Sequence, residues 1–251
     1  MCTTTLNNMS GNTQASGFLT QEELDRLLPA GHPVSYPTGT ILVREGDQSD
    51  FVLYLRSGHI KAITGEPKRI IYIYSPGSIA GELAAILEKP RSADLVCINE
   101  VEAHFIPGPV WLEFLMAETR VNLAMMRHLA NRLLVNDRPE VESATTSEFK
   151  IAKGIWRLLS AGMGKQVADG IRISGVTQRD LGSLSGLSRE SAAAVLKRLR
   201  ETGVVTTGRA SLIVKDPAAI ERLLLNERKA PLTTRAAHAR VPSFQRYRHR
   251  L

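Results

Sequence analysis

Gly81-Glu82-Leu83-Ala84, followed shortly by Pro90-Arg91-Ser92-Ala93, places a carboxylate, a guanidinium and a hydroxyl in one short stretch. Gly81 permits close backbone approach, and the residues after it can begin a one-turn helix whose free N–H groups attract an anion. Arg91 offers a planar charged fork, and Ser92 a hydroxyl, to the same anion. Glu82 can accept from neighbouring sugar hydroxyls. By themselves, Glu82 and Arg91 also fit a buried ion pair.

A second constellation runs from Val176 to Glu201. Thr177 caps a short helix with Asp180 three residues later, Gly186 supplies a tight turn, and Ser188 caps a second helix. Leu181, Leu184 and Leu187 face Ala192, Val195, Leu196 and Leu199, whose spacing puts them on one helical stripe. The exposed side then carries Arg189, Glu190, Lys197, Arg198 and Arg200. Arginine at a helix N-terminus can fork onto guanine O6 and N7, and glutamate can accept from cytosine N4. Lysines and arginines farther along suit phosphates. Thr177, Gln178, Ser188, Arg189, Glu190, Ser191, Lys197, Arg198 and Arg209 are the expected DNA contacts, Arg209 from a hairpin wing over Gly203 to Val214. A solvated charged face is the plain alternative.

The elements that must position these groups fall into an α+β order. Residues 1–18 form a Ser/Thr/Asn-rich tail, and Thr20 and Glu23 open a short helix with a capping box. Short β-rich runs then occupy about 34–107, at 39–43, 51–55, 59–63, 69–74, 94–98 and 101–106, separated by Gly- and Pro-bearing turns. That pattern predicts a barrel or sandwich in a domain over 19–109. A long helix is expected over 110–138, with Met126, Leu129, Leu133 and Asn136 at alternating three- and four-residue steps. An intramolecular core helix would satisfy the same spacing. Pro139 breaks it, and a winged helix-turn-helix domain is expected over 139–225.

The chain has 251 residues and a net charge of +7. Seven basic residues against Glu227 give +6 to residues 227–251, leaving +1 for the other 226. The basic tail over 226–251 is expected to be flexible and suits a polyanion. Two cysteines, Cys2 and Cys97, exclude a disulfide scaffold and a four-thiolate metal site. No apolar run is long enough to span a bilayer and no secretory leader is evident, so a cytoplasmic location without membrane contact is expected. No nucleophile–base pair, metal-ligand spacing or triphosphate loop argues for an enzyme, so no catalytic or metal residues are expected.

The chain resembles the catabolite activator / fumarate-nitrate regulator (Crp/Fnr) superfamily of bacterial transcription factors. The matching residues are Gly39, Glu45-Gly46-Asp47, Gly58, the Gly81 to Ala93 cassette, Leu187 to Ser191 and Leu196-Lys197-Arg198-Leu199, over about 19–225. The resemblance implies a cyclic-nucleotide-binding β-roll, a long helix pairing two protomers, a C-terminal winged helix on two-fold operator DNA, and contact with RNA polymerase. It implies that the ligand site includes Gly81, Glu82, Leu83, Arg91 and Ser92, with Glu82 on the ribose and Arg91 and Ser92 on the cyclic phosphate. The base-reading pair falls on Asn136 and Asp137. Asp137 only accepts when ionised, which complements the N1–H and N2–H₂ edge of guanine and leans the ligand to cyclic GMP, with cyclic AMP and cyclic di-GMP the other candidates. An exposed aspartate paired with an arginine is the plain alternative. The oxygen-sensing branch needs a cysteine cluster that is missing, and His59 and His104 are lone histidines rather than haem ligands. Ala194 stands where many relatives carry a further arginine, so the familiar operator is not expected. The other functional reading is a regulator whose roll is a dimer scaffold or binds another metabolite.

Overall fold

The computed structural model describes residues 18–136 and 146–226. The expectations for the N-terminal tail, Asp137, Pro139 and the basic C-terminal tail lie outside them, as does the side chain of Asn136.

Helix α1 (Gln21–Leu27) begins as expected, with Thr20 and Glu23 forming the reciprocal cap. Eight strands follow: β1 (His32–Tyr36), β2 (Ile41–Val43), β3 (Phe51–Ser57), β4 (Ile60–Thr64), β5 (Arg69–Tyr74), β6 (Ile79–Ala80), β7 (Asp94–Cys97) and β8 (Val101–Pro107). Helix α2 (Glu82–Leu87) interrupts them between β6 and β7. They make two antiparallel sheets, β1-β8-β3-β6 and β2-β7-β4-β5. Leu53, Leu55, Ile60, Ala62, Leu95, Cys97, Val101 and Ala103 fill the space between them. The other face of the first sheet is covered too. Val52, Ile79 and Ile106 pack under α1, α3 (Gly108–Ala117) and α4 (Thr119–Asn136), around a fully buried Trp111.

The expected single helix over 110–138 is two helices. A non-helical Glu118 (φ −107, ψ 87) closes α3, which lets α3 and α4 both wrap the roll.

The second domain contains α5 (Ser147–Ser160), β9 (Gly164–Val167), β10 (Gly170–Ser174), α6 (Gln178–Leu184), α7 (Arg189–Glu201), β11 (Val205–Thr207), β12 (Ser211–Val214) and α8 (Pro217–Asn226). Thr177 and Asp180 cap α6, Ser188 caps α7, and the hairpin β11–β12 is the expected wing. Its sheet is larger than the sequence suggested, because β10 pairs β12 and β9 pairs β10.

The two domains share a core. Ile70 and Ile98 of the roll are buried in one cluster with Ile151, Ile155, Leu158, Leu181 and Leu184. Gly175 at φ +82 is required there, since a Cβ would lie 2.6 Å from the carbonyl oxygen of Ile98.

Candidate ligand pocket and nucleic-acid interface

Glu82 opens α2, is fully buried, and is held from two sides. The Tyr74 hydroxyl donates to it (3.1 Å to Oε2), and the Arg132 guanidinium pairs with Oε1. Arg132 comes from α4, 50 positions away in sequence, and its guanidinium lies 4.2 Å from the Tyr72 ring centre. Burial by itself would lower its pKa, but Tyr74 and Glu82 outweigh that and hold it above the ordinary value. Burial, with the Glu82 charge adding to it, pushes the Tyr74 hydroxyl well above its ordinary value, so it stays a donor.

Arg91 does not pair with Glu82, which corrects the ion-pair alternative. Its Nε donates to Ser49 Oγ (2.7 Å), one terminal nitrogen to the Gly81 carbonyl (3.0 Å) and the other to the Phe51 carbonyl (2.8 Å). The guanidinium also lies 4.5 Å from the Phe51 ring centre. Gly81 is obligatory, because at φ +89 a Cβ would sit 2.5 Å from the Arg91 terminal nitrogen. Cation and carboxylate thus flank one glycine inside a β-roll, where burying charge is expensive unless each group is hydrogen-bonded. Leu83 is half-buried and Ser92 exposed at the same end of the roll.

Sequence reasoning missed Arg132, Tyr72 and Tyr74. Arg132 carried no local signal, and the tyrosines read only as strand residues.

Both ring nitrogens of His59 are engaged within the protein. His59 Nε2 meets the Ala161 carbonyl (2.8 Å) and Asn99 Nδ2 meets His59 Nδ1 (3.2 Å), a pattern that fixes a neutral ring, and burial lowers its pKa. No cluster of three potential metal ligands occurs among the described residues. Burial raises the Cys97 thiol to about 11, which leaves it unreactive.

On α4, Leu123, Met126 and Leu133 are exposed large apolar residues in this single chain, and Ala130 is exposed between them. Leu129 departs from the expected seam. It is half-buried and packs towards the roll with Val121 and Met125. The outward stripe is therefore 123-126-130-133, which keeps Met126 and Leu133 of the expected seam and has Ala130 in place of Leu129.

In the winged helix, Gln178, Ser188, Arg189, Glu190, Ser191, Lys197 and Arg209 are exposed, as is Ala194. The hydroxyls of Thr177 and Ser188 are engaged in capping (accepting at 3.0 and 3.1 Å). Gln178 donates to Thr207 of the wing (3.2 Å), tying α6 to it. Arg198 is exposed as well and pairs with Glu148 of α5 (2.5 Å). Lys197 reaches Glu201 only at 3.9 Å.

Comparison with known proteins covers both domains. Residues 33–118 match the cyclic nucleotide-binding domain, and residues 150–223 match the Crp-like helix-turn-helix domain. The chain is 26% identical over 209 residues to the cyclic AMP receptor protein of Thermus thermophilus, covering 82% of this chain and 94% of that one. It is 24% identical over 195 residues to a CRP-like cAMP-activated global transcriptional regulator of Mycobacterium tuberculosis, covering 76% and 87%. Among solved structures, the c-di-GMP responsive global regulator CLP of Xanthomonas campestris shares the fold at TM-score 0.67 and 22% identity, over 78% of this chain and all of that one. FixK2 of Bradyrhizobium japonicum does so at 0.61 and 14%, over 77% and 96%. A cyclic nucleotide-binding roll followed by a Crp-like helix-turn-helix, in this order and with full-length regulators as relatives, means that the chain belongs to the Crp/Fnr superfamily of transcription regulators.

Proposed function

We propose that the chain acts as a homodimer whose roll binds a cyclic purine nucleotide and whose two α7 helices read a two-fold operator. The observation that carries this reading is the paired burial of Glu82 and Arg91 beside Gly81. Glu82 is suited to accept from the ribose hydroxyl and Arg91, with Ser92, to donate to the cyclic phosphate. Arg91 donates three of its five N–H groups within the protein and keeps two for a phosphate, whereas a ribose hydroxyl would exchange with a bond that Glu82 now accepts. Exchange at Glu82 acts on Arg132 and therefore on α4. That helix carries the outward stripe Leu123, Met126, Ala130 and Leu133, which suits a second copy of itself. Shifting α4 shifts the population of a DNA-competent arrangement.

The relatives named for cyclic AMP support a cyclic nucleotide in this roll. Asp137 argues for guanine by hydrogen-bond complementarity, whereas Asn136, with a donor and an acceptor, can satisfy adenine. Calorimetry with cyclic AMP, cyclic GMP and cyclic di-GMP, on wild type and on Asp137→Ala, decides the base. Weakening of a guanine nucleotide in the variant supports the guanine assignment, and a preference for cyclic AMP ends it. Arg91→Ala should abolish nucleotide binding in a folded protein, and unchanged affinity refutes the pocket.

A second reading has one observation in its favour: every nitrogen of Arg91 already donates within the protein. The roll would then serve as a scaffold. Specific DNA binding indifferent to all three nucleotides is its signature.

A further inference from the structure

Helix α7 divides cleanly by exposure. Ala192, Val195, Leu196 and Leu199 are buried in the winged helix, and Ala193 and Ala194 are the only apolar residues of α7 left exposed. Glu190, Ala193, Ala194 and Lys197 follow one another at steps of three and four residues, so they form one diamond on the side opposite the buried stripe. The two methyls lie between a carboxylate at one end and an ammonium at the other.

The polar groups around this diamond are engaged inside the protein. Ser188 Oγ donates to Ser191 Oγ (3.1 Å), Arg198 pairs with Glu148, and Arg200 donates to Thr207 Oγ1 of the wing (3.2 Å). The helix therefore offers outward Arg189, Glu190, the two alanines and Lys197. Glutamate, glutamine or lysine at 193 and 194 would hold an exposed helix nearly as well. A long side chain there would stand between the backbone and the surface it faces, whereas a single methyl lets the second turn lie close. In the major groove the base edges present one apolar group, the C5-methyl of thymine. A methyl neither donates nor accepts, so an alanine can tell bases apart only through that group.

We infer that Ala193 and Ala194 are specificity-determining residues that read a thymine methyl in each half-site. The inference rests on the reading of α7 as the helix in the groove. Helix geometry gives the position of the thymine. The alanines lie four and five residues beyond Arg189, about 6–7.5 Å along the axis, and base pairs repeat about every 3.4 Å. The thymine is expected on either strand, within about three base pairs of the guanine taken by Arg189. Covering one methyl is worth about fourfold in affinity, and about 15-fold over both half-sites.

A duplex selected by wild type from a random-sequence pool, with cyclic AMP, with cyclic GMP and with neither, supplies the probe. Each thymine of its half-sites is replaced in turn by deoxyuridine, which removes the methyl and leaves every hydrogen-bonding group of the base. Wild type should lose about fourfold per half-site at a thymine in the expected window. In Ala193→Gly and Ala194→Gly the thymine-to-deoxyuridine ratio should fall, and in the double variant it should reach about one. Glycine weakens a helix and can lower affinity generally, but that loss cancels in the ratio. Circular dichroism confirms folding, and the wild-type comparison stands without any variant. Half-sites enriched without a thymine in the window, a ratio near one at every thymine, or a ratio that the double variant keeps, each overturns the assignment and leaves α7 as the reading helix. A pool from which no sequence is enriched refutes the reading of α7 itself, and the methyl contact with it.

Discussion

Arg132→Met tests whether the buried charges of the roll are coupled as the geometry implies. Glu82 has no exposed surface and the Arg132 side chain is 13% exposed, so the methionine leaves a carboxylate in the interior with the Tyr74 hydroxyl as its remaining described donor. Breaking a buried pair from one side costs about 3–5 kcal/mol. Loss of the guanidinium over Tyr72 adds roughly 0.5–1 kcal/mol, while the methionine stem recovers part of the packing. A net loss of about 3 kcal/mol is expected. Removing both charges, as Glu82→Gln with Arg132→Met, should cost about 1 kcal/mol, because no ion is left stranded. The assay is urea unfolding followed by Trp111, fully buried in the helical side of the roll, in a Trp156→Phe background so that only the roll reports. A single variant that loses under about 1 kcal/mol, or a double variant as unstable as the single, refutes the coupling.

Three other outcomes are expected. Hydrogen bonding to Arg120, against the opposing effect of burial, lowers Glu23 from 4.5 to about 2. Its contribution is present above pH 4.5 and is lost as the pH falls through about 2; Arg120 is half-exposed, so about 1–2 kcal/mol is expected. Glu23→Gln should flatten that limb in urea midpoints taken between pH 2 and 7, and parallel profiles would show the pair to be inert. Met126→Glu, at 56% exposure on the outward stripe, should raise the dimer dissociation constant more than about 100-fold in sedimentation; an unchanged dimer moves the interface elsewhere. Arg189→Ala should cost about 1–3 kcal/mol on one base position, whereas Lys197→Ala should weaken all sequences alike and reduce the salt slope by about one. Equal loss on all duplexes for Arg189→Ala would remove it from base reading.

What could be read from the sequence was local. The boxes at Thr20/Glu23 and Thr177/Asp180 are decided within four residues, and both formed. Strand β5 was bounded correctly at 69–74 because alternating large apolar residues meet turn residues at both ends. Strands β1, β6, β9 and β10 were missed. Pro33 and His32 argue against β1, β6 has two residues, and Lys165 and Gln166 make β9 polar. The break at Glu118 has neither proline nor glycine to announce it, and the helices on both sides of it pack on the roll. The partner of Glu82 lies 50 positions away and that of Lys61, Asp180, 119 positions away, distances at which a single sequence carries no pattern.

Strand β5 pairs Tyr72 with Ala62 and Ile70 with Ile63 of β4, and the surplus Ile71 between them bears on which genetic changes this protein tolerates. Side chains alternate with a period of two, so inserting or deleting one residue between 69 and 74 exchanges the two faces and sends tyrosines towards the winged helix and isoleucines towards the charges. Substitutions behave differently. Tyr72 and Tyr74 can vary with the chemistry on one side while Ile70 and Ile73 keep the fit on the other. Receptor and effector can therefore diverge by point mutation through a segment of six residues whose length is fixed.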